Sequence, residues 1–270
     1  MPFYFEPDGL RARKLAPVKT FYVDDSSCMI GGIRHTLLGA VGFWDESAAL
    51  SEFVRVRREL GLRPRQEIKW NSNEFTEELR HSITEGILPI LSRCKGFLIG
   101  SENGRQHAAV ELATQLSDFC RNEGHAGFLC RFDRDIVNDS DAFDRHAYNL
   151  DPPCVGWGDS DSAHEPLVQC ADLFVGFQKL RIDMGVGRID PNKSVDVEVY
   201  EGTRAGYSLG WYLHMAFRHC LWGSLEESPQ ASYQWKNNIG VGVRLFSSAT
   251  EPELNQALAH LGRDYLGCMH

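Results

Sequence analysis

Apolar and polar positions along the chain fall into short β-like runs separated by longer stretches of helical period. After an irregular lead-in over residues 1–17, which carries Pro2, Pro7, Gly9 and Pro17, residues 20–23 form a β-prone run that stops at Asp24-Asp25-Ser26-Ser27. A second apolar run with glycines covers 36–44, and the two predict a pair of strands. Ser47 is placed to cap a helix with Leu50, Phe53, Val54 and Leu60 on one side and Arg55 and Arg58 elsewhere. Phe75, Leu79, Ile83 and Ile87 recur every four residues and predict a second helix that ends near Pro89.

Residues 96–100 read as a strand. Ala109, Leu112, Ala113, Leu116, Phe119 and Cys120 make the cleanest helical stripe, and 127–132 predict a strand ending at Asp133. Residues 142–150 are weakly helical, 154–157 are short and strand-like, and Pro166 suits the first position of a helix running to about Met184. Beyond Gly185 the pattern weakens into a glycine- and charge-rich stretch, an aromatic segment over 211–222 and a strand-like 239–246. Thr250 and Glu253 then form a capping box ahead of Leu254, Leu258, Leu261 and Tyr265. Strands alternating with helices predict an α/β layer structure with a mixed sheet. No repeat or low-complexity linker divides the chain, so the expectation is a core over 18–182 with a C-terminal extension, 183–270, packed on the same domain.

Composition narrows the function classes. With 270 residues, 43% hydrophobic and 24% charged, the chain is ordinary for a soluble globular protein and long enough to bury a core without disulfides. No run combines a basic start, an apolar stretch and a small-residue cleavage site, and none approaches the roughly 20 apolar residues of a membrane span. A cytoplasmic protein with no membrane partner is expected. The eight cysteines are scattered without a C-x-x-C pair, which predicts buried reduced thiols. A net charge of −9 argues against a broad basic face that coats nucleic acid. It leaves a nuclease open, because metal-binding carboxylates make the metal-free charge more negative. Arg55, Arg57, Arg58, Arg63, Arg65 and Lys69 are a local basic bias, either a solvated helix face and loop or a phosphate contact.

Candidate chemistry lies in the acids. Asp24 and Asp25 follow an apolar strand, where open sheets place ligands, although acid-serine clusters also make turns. Asp133 ends a second strand in the same way. Much of the acidic run 159–165 is suited to capping the following helix, with His164 as a local hydrogen-bonding residue. Asp172 differs, because it sits inside an apolar helix where Gln169, Asp172, Gly176 and Lys179 share one strip. A carboxylate there must be ion-paired, solvated or bound to metal. Gln66-Glu67-Ile68-Lys69 places an acid and a base around an apolar residue.

Together these residues resemble the domain-of-unknown-function 3800 family, whose members look like ribonuclease H-like nucleases. Its aspartate-acid-serine group is matched by Asp24, Asp25 and Ser26, and its central E-x-K by Glu67 and Lys69. Its late leucine-glutamine-x-alanine-aspartate-leucine helix is matched by Leu167, Gln169, Ala171, Asp172 and Leu173, with Val168 between Leu167 and Gln169. The resemblance spans about 18–182. It departs at Ser27, where the family usually has glycine. It implies a ribonuclease H-like mixed sheet flanked by helices, acting on RNA or DNA through two Mg²⁺ or Mn²⁺ ions. Two such ions would activate a water and clamp the leaving oxygen. Asp24 would bridge the ions, Glu67, Asp133 and Asp172 would complete the site, and Asp25 and Asp161 would stand in reserve. Lys69, Gln169 and Ser26 would contact substrate. Glu67 precedes the strand at 96–100, whereas in the simplest ribonuclease H order the glutamate follows the third strand.

Two other classes compete. An aspartyl phosphotransferase would carry aspartate-x-aspartate followed by threonine or valine, which Asp24-Asp25-Ser26 does not fit. A non-catalytic scaffold would keep the fold and use Trp211, Tyr212, Phe217 and Trp222 against a partner, although such aromatics more often fill cores.

Overall fold

A computed structural model describes residues 17–63, 66, 68, 77–162, 164–200, 203–217, 220–222, 224–227, 235–238, 242–261 and 266–267. In chain order the elements are β1 (Val18–Ile30), β2 (Ile33–Phe43), α1 (Glu46–Glu59), α2 (Glu77–Leu91), β3 (Cys94–Ser101), α3 (Arg105–Glu123), β4 (Gly127–Asp133), α4 (Ser140–Ala147), β5 (Cys154–Ser160) and α5 (Pro166–Gly185). The remainder are β6 (Ser194–Tyr200), β7 (Thr203–Ser208), α6 (Leu209–Phe217), β8 (Ser224–Glu227), β9 (Trp235–Asn238), β10 (Val243–Phe246), α7 (Glu251–Leu258) and β11 (Leu266–Gly267).

Six strands form one sheet in the order β10-β3-β2-β1-β4-β5. β2 is antiparallel to both β1 and β3, whereas β4 is parallel to β1 and β5, and β10 is parallel to β3. The 3-2-1-4-5 order with only β2 reversed is the ribonuclease H-like arrangement, and the mixed α/β class expected from the alternation of elements is what the chain adopts. β10, from the C-terminal extension, adds the sixth strand. β6 and β7 pair as a separate hairpin, and β8, β9 and β11 make a small second sheet.

The period-two alternation of β1 divides the core between the sheet's faces. Phe21 and Val23 point to one face with Leu38, Phe97, Phe128 and Phe132, and that face is covered by the expected α3 stripe. Tyr22 and Cys28 point to the other, where α5 lies with α1, α2 and α6. α5 is buried on most sides, consistent with its nearly continuous apolar sequence. It approaches closely at Gly39, where a Cβ would lie 2.6 Å from that of Val175.

Several expectations are corrected. β1 does not stop at Asp24. It runs on to Ile30 and turns into β2 through Gly31 (φ +57°) and Gly32 (φ +77°), the two left-handed positions of a tight hairpin. α1 is capped by Asp45, whose carboxylate accepts from Ala48 N at 2.9 Å, rather than by Ser47. Its buried side is Ala49, Phe53 and Val56, with Leu50 and Val54 exposed. The weak pattern after Gly185 hides the β6–β7 hairpin. In the aromatic segment Tyr212, Phe217 and Trp222 are buried, but Trp211 is 48% exposed and stacks on Tyr207.

Other expectations match. α2 ends at Leu91, near Pro89 as expected, with the proline in its last turn. Pro166 opens α5, and Thr250 N donates to Glu253 at 2.8 Å in a capping box that opens α7. The seven described cysteines are free and buried. Among the described residues no helix is long and apolar enough to cross a membrane.

Candidate active site

The parallel ladder between β1 and β4 ends at the pair Val23 and Phe132. Asp24 and Asp133 are the next residue on each strand. Since Val23 and Phe132 both face α3, the pleat turns both carboxylates to the opposite face, where α5 lies. β5 stops beside them, Asp133 pairing with Ser160. β4 and β5 thus end together beside the middle of β1, which continues paired with β2 alone, at the kind of edge where open sheets carry their ligands. β4 leaves the sheet at once through Asp135, which takes the left-handed region at φ +62°. Asp172, on α5, projects toward the same place.

Asp24 is only 5% exposed. Burial pushes its carboxyl up to about 9, and the nearby Asp172 and Asp133 carboxylates push in the same direction; only the hydrogen bond from Asp25 N, at 2.6 Å, pulls strongly back. Backbone amides therefore fix one oxygen of each strand-end acid, because Ser162 N donates to Asp133 Oδ1 at 3.1 Å. Asp172 is half-buried.

The other expected site residues have defined places. Asp25, on the opposite side of β1, is held by Arg105 at the start of α3, at 3.0 Å; its pKa is raised by burial in spite of that arginine. Ser26 is half-buried two residues beyond Asp24 on the same side of the strand. Asp161 is engaged by the Arg134 guanidinium (2.8 Å) and the His164 ring (2.7 Å), so the acid of the turn before α5 has partners of its own. Gln169 is buried, its amide donating to Ser162 O (2.6 Å) and accepting from Arg57 Nη1 (2.9 Å). Glu67 and Lys69 lie outside the described residues. Their neighbours do not: Ile68 is fully buried, and Gln66 O accepts from Arg57 at 2.7 Å.

Arg57 is the residue whose role the sequence hid. It was one of six cations in a basic run, and burial against Phe53 now lowers its pKa while it reaches Arg63 O, Gln66 O and Gln169. It ties Gln66 to Gln169 of α5, one turn before Asp172. Its neighbour Arg55 is likewise engaged, by Glu52 and Glu59 on its own helix.

Asp24, Asp133 and Asp172 offer only oxygen donors, which suit hard dications such as Mg²⁺ or Mn²⁺. Among the described residues, however, no three His, Cys, Asp or Glu are disposed to close on one ion.

No protein-family model matches the chain, and no curated protein matches it. One solved structure that matches is ribonuclease HII of Archaeoglobus fulgidus, in its complex with PCNA. The match covers 61% of this chain and 74% of that one, at 14% identity and a TM-score of 0.36.

Proposed function

We propose that the chain is a divalent-metal-dependent phosphodiesterase acting on nucleic acid, of the kind the domain-of-unknown-function 3800 resemblance implies. The observation that carries this reading is the convergence of Asp24 and Asp133 at adjacent register positions, facing Asp172 across the same side of the sheet. Chains rarely bury a carboxylate against two others unless a cation balances them, because the charged form loses solvation and is repelled as well. Asp24, Asp133 and Asp172 would hold the ions, with Glu67 as the fourth ligand that the resemblance implies. Bound there, Mg²⁺ or Mn²⁺ would acidify a water and stabilise charge on the leaving oxygen.

The chain's own residues set the stage for that chemistry. The amides of Asp25 and Ser162 orient two of the acids. Arg105 and Arg134, partly exposed on Asp25 and Asp161, let a chain of net charge −9 still offer cations to an approaching phosphate. Arg57 joins Gln66, the neighbour of Glu67 in sequence, to Gln169 on α5.

The test is cleavage of fluorescent single- and double-stranded RNA and DNA in Mn²⁺, Mg²⁺ or EDTA, comparing the wild type with Asp24→Asn and Asp172→Asn. Metal-dependent cutting lost in both variants supports the reading. A folded wild type that cuts nothing in either metal would overturn it in favour of a non-catalytic scaffold.

A further inference from the structure

A cleft of about 380 Å³ lies between the second half of α1 and the start of α5. It is near the lower end of the roughly 300–1,000 Å³ range of small-ligand sites, room for one nucleotide rather than for a duplex. Val54, Leu62 and Pro166 give it apolar lining, and the Arg58 guanidinium and the His164 ring supply polar groups. Gln169 also lines it, and through Gln169 to Ser162 O and Ser162 N to Asp133 the cleft is two hydrogen bonds from the acid centre. Asp172 stands one helical turn further along α5 from Gln169.

Val54 bears on what this cleft is for. The helical pattern assigns it to the buried side of α1, yet the structure leaves it 42% exposed and places it in the cleft wall. Arg57, at the base, is occupied in bracing and is partly desolvated, whereas Arg58 is exposed to solvent. Asp161 holds the His164 ring in place through Nδ1. Apolar side chains interleaved with an exposed arginine and a positioned histidine complement a nucleotide, with a base or sugar against the former and a phosphate against the latter.

We infer that this cleft binds the nucleotide next to the scissile phosphate of an unpaired strand. The inference rests on the phosphodiesterase reading and deepens it by naming the substrate class: single strands or frayed ends, since a base pair with its partner strand exceeds the cleft. Val54, Leu62 and Pro166 pack against the base or sugar, and Arg58 and His164 meet its phosphate.

The experiment measures binding of a fluorescent eight-nucleotide single strand and of a blunt duplex to the full chain in EDTA, by anisotropy, and cleavage of both in Mn²⁺. Arg58→Ala and Val54→Glu change exposed side chains, so thermal melting should show both variants folded. Each should weaken single-strand binding by about 5- to 20-fold, with Arg58→Ala also lowering the salt slope by about one. Arg55→Ala, outside the cleft, should stay within about twofold, and the wild type should bind the duplex at least about tenfold more weakly than the single strand. Wild-type binding by both cleft variants, or a duplex held and cut as well as the single strand, would overturn the inference. Its failure is distinguishable from failure of the parent reading. Cutting that needs Asp24 but ignores the cleft variants sinks the subsite alone; cleft-dependent strand binding without any cutting sinks the nuclease alone.

Discussion

Two equally buried aspartates on the same side of the sheet are treated in opposite ways. Asp183, near the end of α5 and 4% exposed, is paired by Lys179 one turn back and by Arg188 at 3.7 Å. Asp24, 5% exposed, has Asp172 and Asp133 as its strongest charged neighbours. The first arrangement is complete within the chain, because each charge that folding desolvates meets its opposite. In the second, acids gather where β4 ends beside β1, an arrangement that costs free energy unless a proton or a bound cation offsets it. Asp183 thus meets cations of its own chain, whereas the charged neighbours that act most strongly on Asp24 are acids, and the proposed metal site rests on that contrast.

The comparison breaks most visibly in activity. Asp24→Asn and Asp172→Asn should each lower metal-dependent cleavage by about 10³-fold or more, equivalent to roughly 4 kcal/mol of barrier. Asp183→Asn, assayed below its melting temperature, should stay within a few-fold of wild type. Equal loss from all three would mean that the two aspartates do not differ in kind. Stability should order them the other way. Asp183→Ala leaves two cations without their acid. A fully buried pair would cost about 3–5 kcal/mol, and the partial exposure of Lys179 and Arg188 reduces this to about 2 kcal/mol, read as a lower urea midpoint.

The sign reverses at Asp24. Its folded pKa, pushed up from 3.8 to about 9, means that the native state keeps a proton that the unfolded chain releases between those limits. Its contribution to stability is present at low pH and is lost as pH rises from about 4 toward 9. In EDTA, the wild type should therefore melt lower at pH 8.5 than at pH 6. Asp24→Asn should be more stable than wild type at pH 8.5, by on the order of 1–2 kcal/mol. Mn²⁺ should raise the wild-type melting temperature and leave that of Asp24→Asn nearly unchanged. A variant that melts below wild type in EDTA at pH 8.5 would show that Asp24 is held by partners of its own.

What could be read from the sequence, and what could not, follows from how local each signal is. The α3 stripe, Pro166 at the head of α5, the capping box at Thr250 and the end of β4 at Asp133 depend on residues within one element, and the structure reproduces them. The run of β1 through Asp24-Asp25-Ser26-Ser27 was missed because polar residues there are sustained by pairing with β2, across a turn whose Gly31-Gly32 pair was the available clue. The outward turn of Leu50 and Val54 is decided by where α2 and α5 lie, which α1 does not encode. β10 reaches the main sheet from the far end of the chain, beyond any local pattern. At the site, Asp24, Asp133 and Asp172 were visible as acids in unexpected positions, and the fold brings them together. Arg57 was not visible, since a cation that braces a loop is written the same way as one that meets a phosphate.

The smallest predicted effect concerns the strip on α5 that carries Asp172. Gly176 lies one turn beyond Asp172, inside a helix where glycine costs about 0.5–1 kcal/mol relative to alanine. A Cβ there would meet nothing within 4 Å, unlike Gly39 or Gly96, where close neighbours account for the missing side chain. Packing therefore does not demand Gly176, and Gly176→Ala should raise the melting temperature by about 2 °C. Gly176→Leu should also fold, because its side chain enters open space, but it would extend into the room beside the acid centre and slow cleavage by about tenfold. If Gly176→Leu cuts at the wild-type rate, the space beyond Asp172 is ordinary surface, and the substrate path lies on the side toward Gln169 and the α1 cleft.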